Sequence, residues 1–386
     1  MWAALEPIGR HARTGGYRRY AWTGEDANLR EWFAAEAQAR GMELTLDRAG
    51  NQWAWWGDPD AEPGVVTGSH LDSVPDGGAF DGPLGVVSAL AAVDALRGQG
   101  FVPSRPIGVV NFGDEEGARF GVACAGSRIL TGALAADRAA GLRDGDGVTM
   151  AEAVRAAGLD PERLGRDEEA LRRVSSFVEL HVEQGRALVD LGRAVAVGSS
   201  IWPHGRWRLD LNGEANHAGT TRLADRDDPM LRLAEVVLAA RREAGAHDCV
   251  ATVGKVRVEP NGVNAIPSAV SAWLDARGPR ERAVRAVAAA VGAAGGGTIT
   301  EESFTADTAF DAALVTRLAA ILDGAPVLGT GAGHDAGILA AAGVPAAMLF
   351  VRNPTGVSHS PAEYAEPQDC LAGVSALTAA LVELTG

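Results

Sequence analysis

Positive charge is scarce in this chain. Across 386 residues, 35 Lys and Arg stand against 50 Asp and Glu, a formal net charge of −15. Polyanions are bound by basic surface, so nucleic acid and anionic membranes are excluded as partners on this reading, while a small anionic substrate held by one local Arg is not. Cysteine is scarce too. Cys124, Cys249 and Cys370 are the only three; they share no close spacing and cannot all pair. This predicts a reduced, cytoplasmic setting with all three as small buried residues. Long hydrophobic runs are missing as well: the longest, residues 336–351, is broken by Pro345 and is too short to span a bilayer. The opening MWAALEPIGRHARTGGYRR lacks the continuous apolar segment of a signal peptide. There are no repeats and no low-complexity tail. A soluble protein is expected.

What is present is ordinary globular material, 47% apolar and 22% charged, in a chain long enough for two domains. Residues 24–41 have helical spacing, with Leu29, Trp32, Phe33 and Ala37 on one face. MELTLD, QWAWW and GVVTGSH read as strands, 84–96 as a buried helix, and PIGVVNF (106–112) as a buried parallel strand. Strand, helix, strand in that order predicts an α/β layered sheet. Residues 133–173 read as surface helices and loops, and SSFVELHVEQG alternates, with Glu179, His181 and Glu183 on one side. From His204 the pattern changes to strand, helix, strand, strand, helix. That segment, 204–308, reads as an inserted α+β domain within a host domain formed by 1–203 and 309–386.

Five segments put His, Asp or Glu at the ends of expected strands: His70 with Asp72, Asp81, Glu115 with Glu116, His181, and His359. Ligands bind at strand ends in open α/β sheets. Only eight histidines exist, and three lie in these segments. Three imidazoles with at least two carboxylates form a credible cage for two divalent metals, and Asp81 in AFDGPLG is placed to bridge them, with glycines that let the backbone turn tightly. Of the adjacent glutamates, one can ligate metal while the other takes a proton from the attacking water and passes it to a leaving nitrogen. Taken singly these features are bland: an HxD at a strand end is usually a turn, and a Glu–Glu pair on a loop is usually solvated. Their joint order is the informative part. His11 and His247 sit in polar contexts and read as surface residues, and His204 as structural.

The ordered set HLDSVPDGGAFDGPLGV, GDEEGARFG, ELHVEQG, GEANHAGTT, PNGVNAIP, WLDAR, GAGHDA and GVSHSPAE closely resembles one family. It is the metal-dependent amidohydrolases that include N-carbamoyl-L-amino-acid hydrolase, β-ureidopropionase and allantoate amidohydrolase, within the dinuclear aminoacylase and carboxypeptidase group. The resemblance implies a mostly parallel-sheet catalytic domain with an inserted lid that also forms a homodimer. It implies two divalent ions per subunit, Zn²⁺ or Mn²⁺, with His70, Asp81, Glu116, His181 and His359 as ligands, Asp81 bridging. Glu115 would be the general base and acid, and Asp72 would orient the first ligand's surroundings.

The same likeness assigns His217 to polarising the scissile carbonyl from its own or the neighbouring subunit. It assigns Asn264 and Arg277 to the substrate carboxylate, which a planar guanidinium matches bidentately; Gln184, close to His181 in sequence, is placed by that closeness to hydrogen-bond the ureido end. On residues alone, Asn264 and Arg277 read as a strand-end turn and a surface charge. His334 and Asp335 take a supporting role, and Arg226 and Asp228 read as structural ion-pair partners near the lid helix. After HAGTT the chain has Arg222-Leu223 where many relatives have Pro-Met, which bears on the pocket wall rather than the reaction.

The expectation is hydrolysis of a linear ureido or amide C–N bond in a small carboxylate-bearing substrate. RNPTGVSHSPAE points to allantoate first, with N-carbamoyl-L-amino acids next and N-formyl or N-formimino amino acids after them. A non-catalytic binding protein of the same fold is the rival from another class; it would be free to lose ligands that are all present here. A peptidase of the wider group is the nearer rival, and the histidine of HVEQG, where many peptidases carry an acidic residue, argues against it.

Overall fold

Four buried runs make the centre of the main sheet: Gly64–His70, Ile107–Phe112, Val174–Val182 and Ala346–Val351. Almost every residue in them is buried, as expected for strands covered on both faces. In the computed structural model, which describes residues 1–386, they pair in the order 107–112, 64–70, 174–182, 346–351, and all three pairings are parallel. Antiparallel strands flank this core, Gln52–Trp56 and Glu43–Leu46 on one side and Val195–Ile201 on the other. The expected mostly parallel α/β sheet is therefore found at the centre.

The helix Pro83–Gly98 packs against Gly64–His70 and Val174–Val182. Pro83 sits in its first turn, where a missing N–H costs nothing, and Arg97 lies in its last turn. Gly82 before it has φ +86°, and a Cβ there would collide with the His70 imidazole. Glycine is thus required both by backbone conformation and by closeness to a candidate ligand. Of the cysteines only Cys124 is buried. The expectation fails for Cys249 and Cys370, which are half-buried.

The chain divides into two compact units, one of residues 1–199, 309–328 and 333–386, the other of residues 200–308 with 329–332. The second contains an antiparallel sheet in the order Thr298–Thr305, His204–Asn212, Ala269–Arg277, Val250–Glu259. Strict alternation along Ala269–Arg277 turns Val270, Ala272, Leu274 and Ala276 inward. They meet Leu233 and Val236 of the helix Pro229–Ala246, and Val284, Val287 and Val291 of the helix Glu281–Gly295. Arg226 and Asp228 do not form the expected ion pair. The Arg226 guanidinium donates to the carbonyls of Ala218 and Thr221, and Asp228 caps the helix Pro229–Ala246 by accepting from Met230 N. The ion pair nearby joins Arg232 to Asp227. No helix is long and apolar enough to cross a membrane.

Candidate metal centre

Parallel strands align their carboxyl ends, and the candidate ligands follow from that alignment. His70 ends one strand opposite Phe112, the residue from which the Gly113–Glu116 turn departs. His181 lies beside Phe350 in the next pairing, and the loop to His359 leaves from Val351. Connections from 64–70 run one way to 107–112, while 174–182 and 346–351 lie on the other side. The boundary between 64–70 and 174–182 is therefore a topological switch point, the place where α/β sheets bind ligands. The His70 and His181 rings lie 5.9 Å apart across it.

Asp81 occupies the centre. Its Oδ1 is 3.8 Å from His70 Nε2 and 3.2 Å from His181 Nε2. Its Oδ2 is 3.3 Å from His359 Nε2, which is itself 3.6 Å from Glu116 Oε2. Two triads result, His70–Asp81–His181 and Asp81–Glu116–His359, sharing the Asp81 carboxylate. Backbone carbonyls engage Nδ1 of two ligands, Asp72 O for His70 at 3.2 Å and Val182 O for His181 at 2.9 Å, which leaves each Nε2 as the free lone pair. His70 Nε2, His181 Nε2 and Glu116 Oε1 are buried without a hydrogen-bond partner, a condition proteins rarely leave uncompensated. A tetrahedral ion bound at about 2.1 Å sets its ligand atoms about 3.4 Å apart, which matches these spacings. The donors are imidazole and carboxylate, as zinc-type and manganese-type ions accept. The residues fit two divalent cations.

The charge balance says the same. Burial drives the Glu116 carboxyl up to about 7, with Asp81 adding to the effect, and burial also raises Glu115 well above the carboxylate range. Burial raises Asp81 too, but His181 and His359 outweigh it and hold it well below that range. Burial lowers His70, yet Glu115 and Asp72 overcome that and raise it. Carboxylates crowd a buried site short of positive charge, and a bound dication reverses this pattern.

Glu115 belongs to neither triad. Its Oε2 is 3.8 Å from His70 Nε2, and its Oε1 accepts from Cys124 Sγ at 3.3 Å. Asp72 does more than support His70: its two oxygens accept from the backbone N–H of Glu115 and of Glu116, at 3.1 and 3.0 Å, and so fix the Glu–Glu turn. The Gln184 amide donates to Asp81 Oδ2 at 3.1 Å and Ser358 Oγ at 3.2 Å and lies 3.3 Å from His359 Nε2, which places it beside the second triad. His334 lies against His181 with rings 4.4 Å apart, and burial holds it neutral by lowering its pKa well below the usual value. Glu179, His181 and His334 make a third cluster. It is less suited to an ion, because the Glu179 oxygens already accept from Ser69 Oγ and Ala336 N. Asp335 Oδ1 accepts from Ser127 at 2.5 Å.

The remaining candidates all belong to the second unit but lie toward two ends of it: His217 and Asn264 adjoin the Asn212–Ala269 end of its sheet, whereas Arg277 pairs with His204 and Val250 at the other end of the nine-residue strand. His217 pairs with Ala265 across a short antiparallel ladder, and Ala218 N donates to Asn264 O. Gly219 N donates to His217 Nδ1 at 3.0 Å, so the neutral ring carries its proton on Nε2, which is the tautomer of a hydrogen-bond donor. Arg277 is held by Asp275, Nε to Oδ1 at 2.7 Å and Nη2 to Oδ2 at 3.1 Å, while Nη1 donates to Gly331 O. Two of its five N–H groups stay free at the outer edge of the fork.

Sequence reading gave no role to Glu363, Ser358 or Cys124. Glu363 stood in the quoted GVSHSPAE, four residues past His359, but two of its partners are backbone N–H groups, of Phe80 and Asp81, that no side-chain pattern reveals.

Residues 66–383 match the model of Peptidase family M20/M25/M40. The chain is 36% identical to an N-carbamoyl-L-amino acid amidohydrolase of Geobacillus stearothermophilus, over 98% of this chain and 96% of that one. It is 32% identical to an allantoate amidohydrolase of Bacillus subtilis, over 96% and 93%. A crystal structure of a hydantoinase/carbamoylase family amidase from Burkholderia multivorans superposes with a TM-score of 0.88 at 30% identity, covering 100% of this chain and 96% of that one. With five candidate imidazole and carboxylate ligands gathered at the sheet's switch point, the chain belongs to the M20/M25/M40 peptidase family and is an amidohydrolase of its hydantoinase/carbamoylase branch.

Proposed function

We propose that the protein hydrolyses a linear ureido C–N bond in a small carboxylate-bearing substrate, with two divalent ions per subunit, Zn²⁺ or Mn²⁺, held by His70, Asp81, Glu116, His181 and His359. The observation that carries this is the pair of triads sharing Asp81, with Glu115 outside both. The ions would supply Lewis acidity and positive charge for water activation. Glu115 takes a proton from the attacking water; the hydroxyl adds to the ureido carbon; the C–N bond breaks and Glu115 returns the proton to the departing nitrogen. His217, as an Nε2 donor, stabilises the oxyanion. The free N–H groups of Arg277 take the carboxylate, and Asn264, which lies toward the other end of the lid sheet, reaches it from a second copy of the chain. Gln184 orients the ureido end.

Allantoate is the first substrate reading, resting on RNPTGVSHSPAE; N-carbamoyl-L-amino acids are the second, favoured by the 36% identical relative. The test is ammonia release by metal-loaded protein from allantoate, N-carbamoyl-L-amino acids and N-formimino-L-glutamate, each with a chelated control. Chelator-sensitive release from allantoate is expected, and Arg277→Met is expected to raise KM about a hundredfold while changing kcat little, in line with a lost charge-assisted bidentate contact. Release from an N-carbamoyl amino acid alone would keep the chemistry and move the substrate. No release from any, with metal bound, would overturn the ureido reading.

The partner proposed is a second copy of the chain, joined through the lid unit. Val250–Glu259 is an edge strand of ten residues, with unpaired backbone groups along one side. The helix Pro229–Ala246 packs beside it and exposes Leu231 and Leu238, 70% and 61% accessible. A self-complementary edge flanked by an apolar helix stripe suits a two-fold interface. The chain has a single lysine, Lys255, on that strand. Light scattering is expected to give a dimer that Leu231→Glu with Leu238→Glu converts to a monomer, and an amine-reactive cross-linker to couple Lys255 across the wild-type pair. A wild-type monomer at micromolar concentration would remove the proposal.

A further inference from the structure

We infer that Glu363 is a positioning residue that joins the Asp81 turn to the Ser358–His359 loop and thereby sets the second metal triad. The inference rests on the proposal that Asp81, Glu116 and His359 hold an ion. Two of those three residues lie on chain segments separated by some 280 positions, so something must hold the segments in register. Glu363 Oε1 accepts from both Phe80 N and Asp81 N at 2.9 Å, and Oε2 accepts from Ser358 Oγ at 2.9 Å. The same hydroxyl lies 3.3 Å from Asp81 Oδ2. One buried carboxylate thus grips the backbone of the shared ligand and the residue preceding His359.

The surroundings are shaped for this grip. Gly78 leaves the space that the Glu363 carboxyl fills, since a Cβ at that position would collide with it. Phe80 and Tyr364, neighbours of the bonded residues in sequence, meet edge to face with centroids 6.0 Å apart and close the contact to one side. The need is clear at His359, whose φ of +54° lies in the left-handed region that non-glycine residues adopt only at a cost. His359 is also the most exposed of the five candidate ligands, its side chain 51% accessible, so packing does not aim it. Asn353 braces the start of the loop through Thr355, Gly356 and Val357. Glu363 braces its end. Neither His70 nor His181 depends on this loop, since both sit at the ends of strands.

The test is stepwise titration of the metal-stripped full chain with Zn²⁺ against a chromophoric chelator, with circular dichroism to confirm folding. Wild type is expected to bind two equivalents. Glu363→Ala is expected to bind the first with near wild-type affinity and the second about ten- to a hundredfold more weakly, the range for removing a group that orients a ligand. Glu363→Gln keeps the acceptor for Phe80 N and Asp81 N, and is expected to restore the second affinity to within a few fold. Ser358→Ala, which leaves Glu363 in place, is expected to fall between them and serves if Glu363→Ala does not fold. Two equivalents of wild-type affinity in Glu363→Ala, or equal weakening of both, would overturn the inference. Fewer than two equivalents in wild type would overturn the dinuclear reading beneath it.

Discussion

Glu115→Gln, loaded with metal, is expected to keep two equivalents of divalent ion and lose about three orders of magnitude in kcat. The magnitude is that of general acid–base catalysis, about 10²- to 10⁴-fold, or roughly 4 kcal/mol of barrier at the middle of the range. Glutamine has the same shape and can still accept from Cys124 Sγ, so the turn that Asp72 anchors through Glu115 N and Glu116 N is undisturbed. What it lacks is a basic carboxylate. The metal ligands are untouched because Glu115 stands in neither triad. The measurement pairs metal content with ammonia release under saturating substrate. Activity within tenfold of wild type would reassign the base. Loss of one metal equivalent would make Glu115 a ligand and undo the division of labour between the two glutamates.

From the residues alone the Glu115–Glu116 pair offered one ligand and one free base without saying which; the candidate ligands were legible because ligand chemistry is carried by side-chain type and by position at strand ends. His70, Asp81, Glu116, His181 and His359 are all of ligand type, and parallel-strand alignment sets His70 and His181 near one another and brings the turns that carry the other three to the same end of the sheet. The sheet of the second unit was legible as a change of pattern at His204, where buried runs give way to strict alternation. The parts that resisted reading share a physical cause: they depend on backbone groups. Asp72 grips two amides of the Glu–Glu turn, Glu363 grips two amides of the Asp81 turn, and Arg226 binds two carbonyls where an ion pair with Asp228 was expected. Backbone donors and acceptors occur at nearly every residue, so their partners follow from the folded path alone. The half-exposure of Cys249 and Cys370 has another origin, since residue type sets only a tendency to burial.

The largest effect of all is expected at Asp81. Both triads pass through its carboxylate, Oδ1 toward His70 and His181 and Oδ2 toward His359, so one substitution removes a ligand from each. Asp81→Asn keeps the size and the backbone N–H that Glu363 accepts from, but it replaces one anionic oxygen by an amide N–H₂ that repels a cation. Activity is expected to fall below about one-thousandth of wild type, and affinity for both ions by more than about a hundredfold. Thermal unfolding gives an independent reading. Ions that bind only the folded state raise wild-type stability by RT ln(1 + [M]/Kd), about 2.7 kcal/mol at a hundred times Kd, so Tm should climb with added Zn²⁺ in wild type and stay flat in Asp81→Asn. His359→Ala, which touches one triad only, should retain part of that climb. A full metal-dependent rise in Asp81→Asn would show that the shared carboxylate is not what holds the ions, and the bridged arrangement of the site would have to be abandoned.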